Sequence, residues 1–215
     1  MLLYINTFIY IFIIDNLLTY LFSDIAHWFQ LHFVINMICV YLTYQNVIKM
    51  IIYPLSSFDN YDNNVVISYA GVLHVYHNIF FKMKIIDYYH HILSVYIPFF
   101  IIYNINRRLT SLYFFIFCGL PGGIEYLMLS LVKHNKIESL TQKYYSSLLN
   151  TYLRIPGGVV ASFLSYIIAT EDVDINISEK YSLYIMSIIL FFNCTVFGKM
   201  AIENYIEKNN VSLNK

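Results

Sequence analysis

The chain has 215 residues, of which 59% are hydrophobic and 12% charged, with a mean hydropathy of +0.58. A soluble domain carries about a quarter charged residues, so this composition suits a surface facing hydrocarbon and excludes a secreted or nucleic-acid-binding module. Thirteen basic and thirteen acidic residues cancel, without a run of either sign long enough to grip nucleic acid. Cys39, Cys118 and Cys194 are scattered through apolar stretches with no metal or disulfide spacing, and read as small apolar residues.

A helix crossing the bilayer core needs roughly 20 mainly apolar residues. Seven segments qualify, at 3–22, 26–44, 65–81, 88–103, 111–132, 150–169 and 181–202. The first lacks a basic leader and is interrupted by Asp15-Asn16, so it reads as a retained helix rather than a signal peptide. Residues 45–64, with Pro54 and the polar run Ser56 to Asn60, read as the longest connector, with an interfacial helix at its start. Lys82-Met83-Lys84 reads as a tight turn between the third and fourth segments. The motifs Leu120-Pro121-Gly122-Gly123 and Ile155-Pro156-Gly157-Gly158 fall inside the fifth and sixth. The expected fold class is all-α, a multipass bundle of six to seven transmembrane helices.

Alternate connections fall on opposite sides of the membrane. One side collects Lys82, Lys84, Lys133, Lys136, Lys143, Lys199, Lys208 and Lys215, and the other Lys49, Arg107, Arg108 and Lys180. The cytoplasmic bias of Lys and Arg then places the N-terminus outside or in the lumen and the C-terminus in the cytosol. The acidic loop Glu171 to Asp174 and the sequon Asn176-Ile177-Ser178 fall on the lumenal side, in agreement, while Arg107-Arg108 stands against it.

Ionisable groups inside a membrane are costly, so they line cavities, pair with one another or do chemistry. On this topology Asp15, His27, His32, His74, His77, Asp87, His90, His91, Glu125 and Arg154 converge on the cytosolic half. Asp87 precedes His90 and His91 by three and four residues, one helix face, where a carboxylate orients an imidazole and raises its basicity. That serves a general base or nucleophile, and here function outranks structure. His32 and Asn36 share a face, as do His74, His77 and Asn78, and Glu125 lies level with Arg154 for a buried ion pair. Each of these also has a structural reading: His27 and His77 as interface residues with wet tips, His32, Asn36 and His74 as interhelical hydrogen-bonding groups, Glu125–Arg154 as a structural pair, and Lys199 and Glu203 as snorkelling side chains. No metal site is expected, since membrane di-iron enzymes use about eight histidines and this chain has seven. The Pro-Gly-Gly interruptions also fit the broken helices of a small transporter.

The pair His90-His91 opening an apolar segment, with Asp87 one turn earlier, resembles the signature of the TLC domain (TRAM, Lag1 and CLN8 proteins). His27 to His32 with Asn36 and Pro54-Leu55 is similar to the opening of small TLC-domain proteins, and Gly119 to Tyr126 with Leu131-Val132-Lys133 to a later segment of that group. The likeness divides the chain into an N-terminal helix at 1–24, a TLC-like domain at 25–205 and a polar cytosolic tail at 206–215. It implies a barrel-like bundle around a central cavity, in the endoplasmic reticulum or another internal membrane, with a role in membrane lipid metabolism. In the ceramide synthase branch paired histidines serve acyl transfer from acyl-CoA to a lipid amine; carried over, that makes His90 and His91 catalytic with Asp87 orienting them. His32, Asn36, His74, His77, Glu125 and Arg154 then bind substrate, with no cofactor beyond acyl-CoA as co-substrate. The synthases follow their histidines with paired aspartates, where this chain offers only Glu125, so the small TLC-domain proteins are the closer likeness. The expected partners are membrane lipids and a second copy of the chain, with no nucleic acid. A non-enzymatic lipid sensor and a small transporter are the alternatives.

Overall fold

The computed structural model describes residues 1–213 apart from Ser23, Met83, Lys84, Ile86, Asp87, Tyr89 and His90, and apart from the side chains of Leu93, Ser94 and Ser212. Among the described residues there are seven helices and no β-strand: α1 Leu2–Phe22, α2 Asp24–Ile52, α3 Asn64–Phe80, α4 over 92–102, α5 Leu109–Lys133, α6 Ser139–Glu171 and α7 Ile177–Leu213. Helices α1, α2, α5, α6 and α7 are long and apolar enough to cross a membrane. The 17 residues of α3 rise ~26 Å, just short of a ~30 Å hydrocarbon core. The chain is an all-α, multipass integral membrane protein.

Three expected boundaries change. Residues 45–52 continue α2 instead of beginning a connector, and the connector proper is a 3-10 turn at Pro54–Phe58. The sixth helix starts at Ser139 rather than 150, because its polar first turns pack against α5 and α7 instead of facing water. The last helix runs to Leu213, through most of the stretch read as a tail. Of the expected Lys82-Met83-Lys84 turn, Met83 and Lys84 lie outside the described residues.

The Pro-Gly-Gly motifs do not break their helices. Each follows a turn of π-helix, Phe114–Gly119 in α5 and Asn150–Arg154 in α6, and a third π turn, Ile92–Tyr96, precedes Pro98 in α4. Proline has no N–H, and its ring clashes with the carbonyl four residues back, which falls within the π turn each time. The residue before each proline donates five back instead, Ile97 to Ile92, Leu120 to Phe115 and Ile155 to Asn150. The glycines set helix spacing. A Cβ on Gly122 would stand 3.0 Å from Asn36 Nδ2, and one on Gly158 only 2.5 Å from Cys194 Cβ.

Two polar networks tie the bundle. In α1, Asp15 is buried, 2.5 Å from His27 Nε2 and accepting from Tyr76 OH at 2.6 Å, so the residue that interrupts the apolar run joins α1 to α2 and α3. At the opposite end Arg107 donates through Nε to Glu179 at 2.9 Å and through Nη1 to Phe58 O at 2.7 Å, and it pairs with Asp172 at 2.8 Å. Arg108 donates to Asn46 Oδ1 at 2.7 Å and pairs with Asp59 at 3.1 Å. Lys49 first, then Arg108, holds the Asp59 carboxyl below the usual carboxylate range. The two arginines thus sit on that side as partners of a clasp between connectors, which accounts for a pair that the charge bias alone does not explain.

Overpacking at the α6–α7 crossing should cost ~1–3 kcal/mol. Gly158→Ala is expected to lower the unfolding free energy in detergent by that amount, and the thermal midpoint with it, whereas Val160→Ala on the half-exposed outer face should change that free energy by no more than ~0.5 kcal/mol. Equal midpoints for the two variants would contradict the close approach.

Candidate functional site

The helices enclose a cavity of about 460 Å³ whose lining comes from α2 to α7. Its two ends differ. Towards the Arg107 clasp it is walled by Phe99, Ile102, Tyr113 and Phe114, within ~10 Å of the helix ends at 1.5 Å per residue. Towards the other side it is lined by His32, Asn36, Glu125, Ser146, Asn150 and Arg154, with Lys143 and Gln142 beyond. Glu125 and Arg154 lie ~25 Å from the clasp ends of α5 and α6 by the same rise. One end therefore suits hydrocarbon and the other a polar group.

The polar end is prearranged. Glu125 accepts from Ser146 Oγ at 2.8 Å and from Arg154 Nη1 at 3.5 Å. Arg154 Nη1 also donates to Asn150 Oδ1 at 3.1 Å, and Asn150 Nδ2 is fixed on Ser146 O at 2.8 Å. Among the described residues the buried Arg154 Nε has no hydrogen-bond partner. An unpaired buried donor costs free energy, and Arg154 lines the cavity, where an acceptor would be welcome.

Four imidazoles gather beside this network. His32, from α2, lies 5.1 Å from His77 and 6.1 Å from His74 between ring centroids, and His77 lies 4.3 Å from His91. His32 Nδ1 is 2.8 Å from Trp28 O and His74 Nδ1 is 2.7 Å from Ala70 O. A carbonyl only accepts, so both rings carry their hydrogen on Nδ1, and in the neutral ring Nε2 holds the lone pair. His32 and His74 line the cavity. His77 and His91 stand behind them, buried, in a hydrogen-bonded chain. His77 Nε2 and His91 are 3.0 Å apart, His91 Nδ1 is 3.1 Å from Asn78 Oδ1, and Asn78 Nδ2 donates to Tyr96 OH.

Of the expected site residues, His32, Asn36, His74, Glu125 and Arg154 thus share one cavity, with His77 and His91 adjoining it, while Asp87 and His90 lie outside the described residues. His27 belongs to the Asp15 network, and Lys199 pairs with Glu203 at 3.5 Å on the exposed face of α7. Among the described residues no group of three or more His, Cys, Asp or Glu side chains is arranged to hold a metal ion. Sequence reading missed Gln142, Ser146 and Asn150. Their signal is the spacing 142, 146, 150, 154, four residues apart, which continues one helical stripe into Arg154. Comparison of the chain with protein-family models, curated proteins and solved structures gives no match.

Removing one member of the Glu125–Arg154 pair strands the other charge. We expect Glu125→Gln to lower stability by ~1–3 kcal/mol, discounted from a fully buried pair because both side chains keep some exposure. Adding Arg154→Met should recover much of that loss. A double variant as unstable as the sum of its parts, by thermal unfolding in detergent, would count against the pair.

Proposed function

We propose that this membrane protein takes up a lipid amphiphile in its central cavity and acts on it in membrane lipid metabolism, by acyl transfer to a lipid amine. The observation that carries this reading is the division of one cavity into an apolar end and a polar end that holds charges, amides and imidazoles. The resemblance to the TLC domain supports the same assignment. Arg154 and Lys143 meet anionic groups of the acyl-CoA donor or of the lipid head, drawing on the partnerless Arg154 Nε. The amine nitrogen attacks the thioester carbonyl and yields its proton to an imidazole lone pair at the wall, that of His32. The C–N bond forms, the C–S bond breaks, and the thiolate leaves with that proton. His91 stands one imidazole behind the wall, and with His90 and Asp87 it forms the motif on which the resemblance rests. The membrane in this reading is the endoplasmic reticulum or another internal one, with the Arg107 clasp lumenal and the lysine-rich end cytosolic.

A second reading, lipid binding without turnover, is favoured by the chain from His77 through His91 and Asn78 to Tyr96, which employs two of the imidazoles structurally. The two readings separate by lipidomics on cells expressing the wild type, His32→Ala/His74→Ala or His90→Ala/His91→Ala at matched levels. Turnover predicts a rise in one N-acylated or re-acylated lipid class with the wild type alone. Identical profiles, together with a lipid retained by the wild type in native mass spectrometry and lost from His32→Ala/His74→Ala, would leave binding as the function.

A further inference from the structure

Between α1, α3 and α4 lies a second concavity, an apolar groove of about 600 Å³ walled by Tyr4, Phe8, Val72 and Tyr96. Val95 and Phe99 line both this groove and the central cavity, so the two spaces are separated by a wall one side chain thick. We infer that the groove is a lateral portal through which the hydrocarbon chain of a membrane lipid passes into the apolar end of the cavity, with Phe99 as its movable wall. This rests on the lipid reading of the cavity and adds the route and the part of the ligand that takes it.

Four features carry the assignment. The first is the surroundings. Ile5 and Ile9, at the rim, are about half exposed on a membrane-spanning helix, so the groove opens towards bilayer hydrocarbon and its occupant is a lipid chain. Second, the groove has no charged lining residue, and the hydroxyl of Tyr96 is turned away to Asn78 and to His74 O. Third, Phe99 lies over bare backbone. The nearest atoms a Cβ on Gly71 would meet are those of the Phe99 ring, at 3.1 Å from Cε1 and 3.3 Å from Cδ1, so the missing side chain is the slot the ring occupies. Fourth, Phe99 follows the π turn Ile92–Tyr96 and Pro98, which takes one donor out of the helix ladder. Along this route a chain never leaves an apolar medium, whereas entry past Lys143, Glu125 and Arg154 would drag it across charges.

A fatty acid bearing a diazirine in its chain and a terminal alkyne, fed to cells expressing the full chain and activated by light, tests the portal. Labelled peptides mapped by mass spectrometry should include groove residues of α1 and α3 and apolar-end cavity residues of α5 or α7. Gly71→Leu, which wedges the slot, should cut cavity labelling severalfold while groove labelling persists, and Phe99→Ala should raise cavity labelling. A thermal unfolding curve for each variant establishes that it is folded, and Phe99→Ala gives an independent arm should Gly71→Leu fail to fold. Cavity labelling indifferent to both substitutions, or present without groove labelling, would overturn the portal and leave the lipid cavity standing. Absence of label from both spaces would overturn the portal and the lipid reading together.

Discussion

Three prolines inside the membrane govern the shape of this bundle. With no water available, a helix that loses a donor to proline must rearrange its own ladder. Before Pro98, Pro121 and Pro156 the chain does so by widening into a π turn, each closed by a bond to the carbonyl five residues back. A π turn inserts one residue and offsets the faces before and after it. Val95, Phe117 and Asn150, one from each widened turn, all line the cavity. The glycines after Pro121 and Pro156 then let α2, α5, α6 and α7 close tightly above and below it. Space in the middle and close contact at the crossings come from the same two short motifs, together with Pro98.

Each charged network keeps one buried guanidinium Nε without a hydrogen-bond partner among the described residues, Arg108 at the clasp and Arg154 at the other end, and the two networks differ in what they face. At the clasp, Arg107 spends its guanidinium on Glu179, Asp172 and a backbone carbonyl, and Asn63, Ser111 and Asn46 complete the set. No clasp residue lines the central cavity, and the groups stitch the connectors at 53–63, 103–108 and 172–176 to one another. At the other end Glu125 and Arg154 share one long contact, and Arg154 keeps a buried donor without a partner beside an open volume. Burying charge without exhausting its bonds is costly, and proteins bear that cost where a ligand completes the set. The open volume beside Glu125 and Arg154, more than charge or an unpartnered donor, separates site from scaffold.

Much of the cavity was legible in the sequence because depth along a spanning helix can be counted in residues. His32, His74, Glu125 and Arg154 could be brought to the same half of the bundle from segment boundaries alone, with Asn36 on the face of His32, and similar depth on consecutive segments paired Glu125 with Arg154. What was hidden followed from composition. Ser139–Leu149 is too polar to read as membrane-spanning, so Gln142 and Ser146 fall in a connector and only Asn150 opens the expected sixth segment, although four-residue spacing marks a helix face in any medium. Residues 45–52 were hidden for the same reason, with Asn46 buried in the clasp and Lys49 forming an exposed pair with Asp59 at its edge. The π turns had no signature beyond the prolines that follow them. Asp15 was visible as an interruption, but its partners His27 and Tyr76 are set by packing that no spacing rule specifies.

The imidazoles bear on how such a site can work inside a bilayer. A permanently charged base here would need a counter-ion of its own, and Glu125, the one carboxylate among the described residues that line the cavity, is already shared by Arg154 and Ser146. A neutral imidazole avoids that cost while keeping a lone pair for a proton. Anchoring Nδ1–H of His32 and His74 on carbonyls of their own helices settles the tautomer without drawing on the cavity's other groups. Trp28, stacked on His32 at 5.3 Å and packed on His77 at 4.5 Å, fixes the ring planes. The result is a wall whose acceptors are oriented before any ligand arrives, so that binding need not repay the entropy of arranging them.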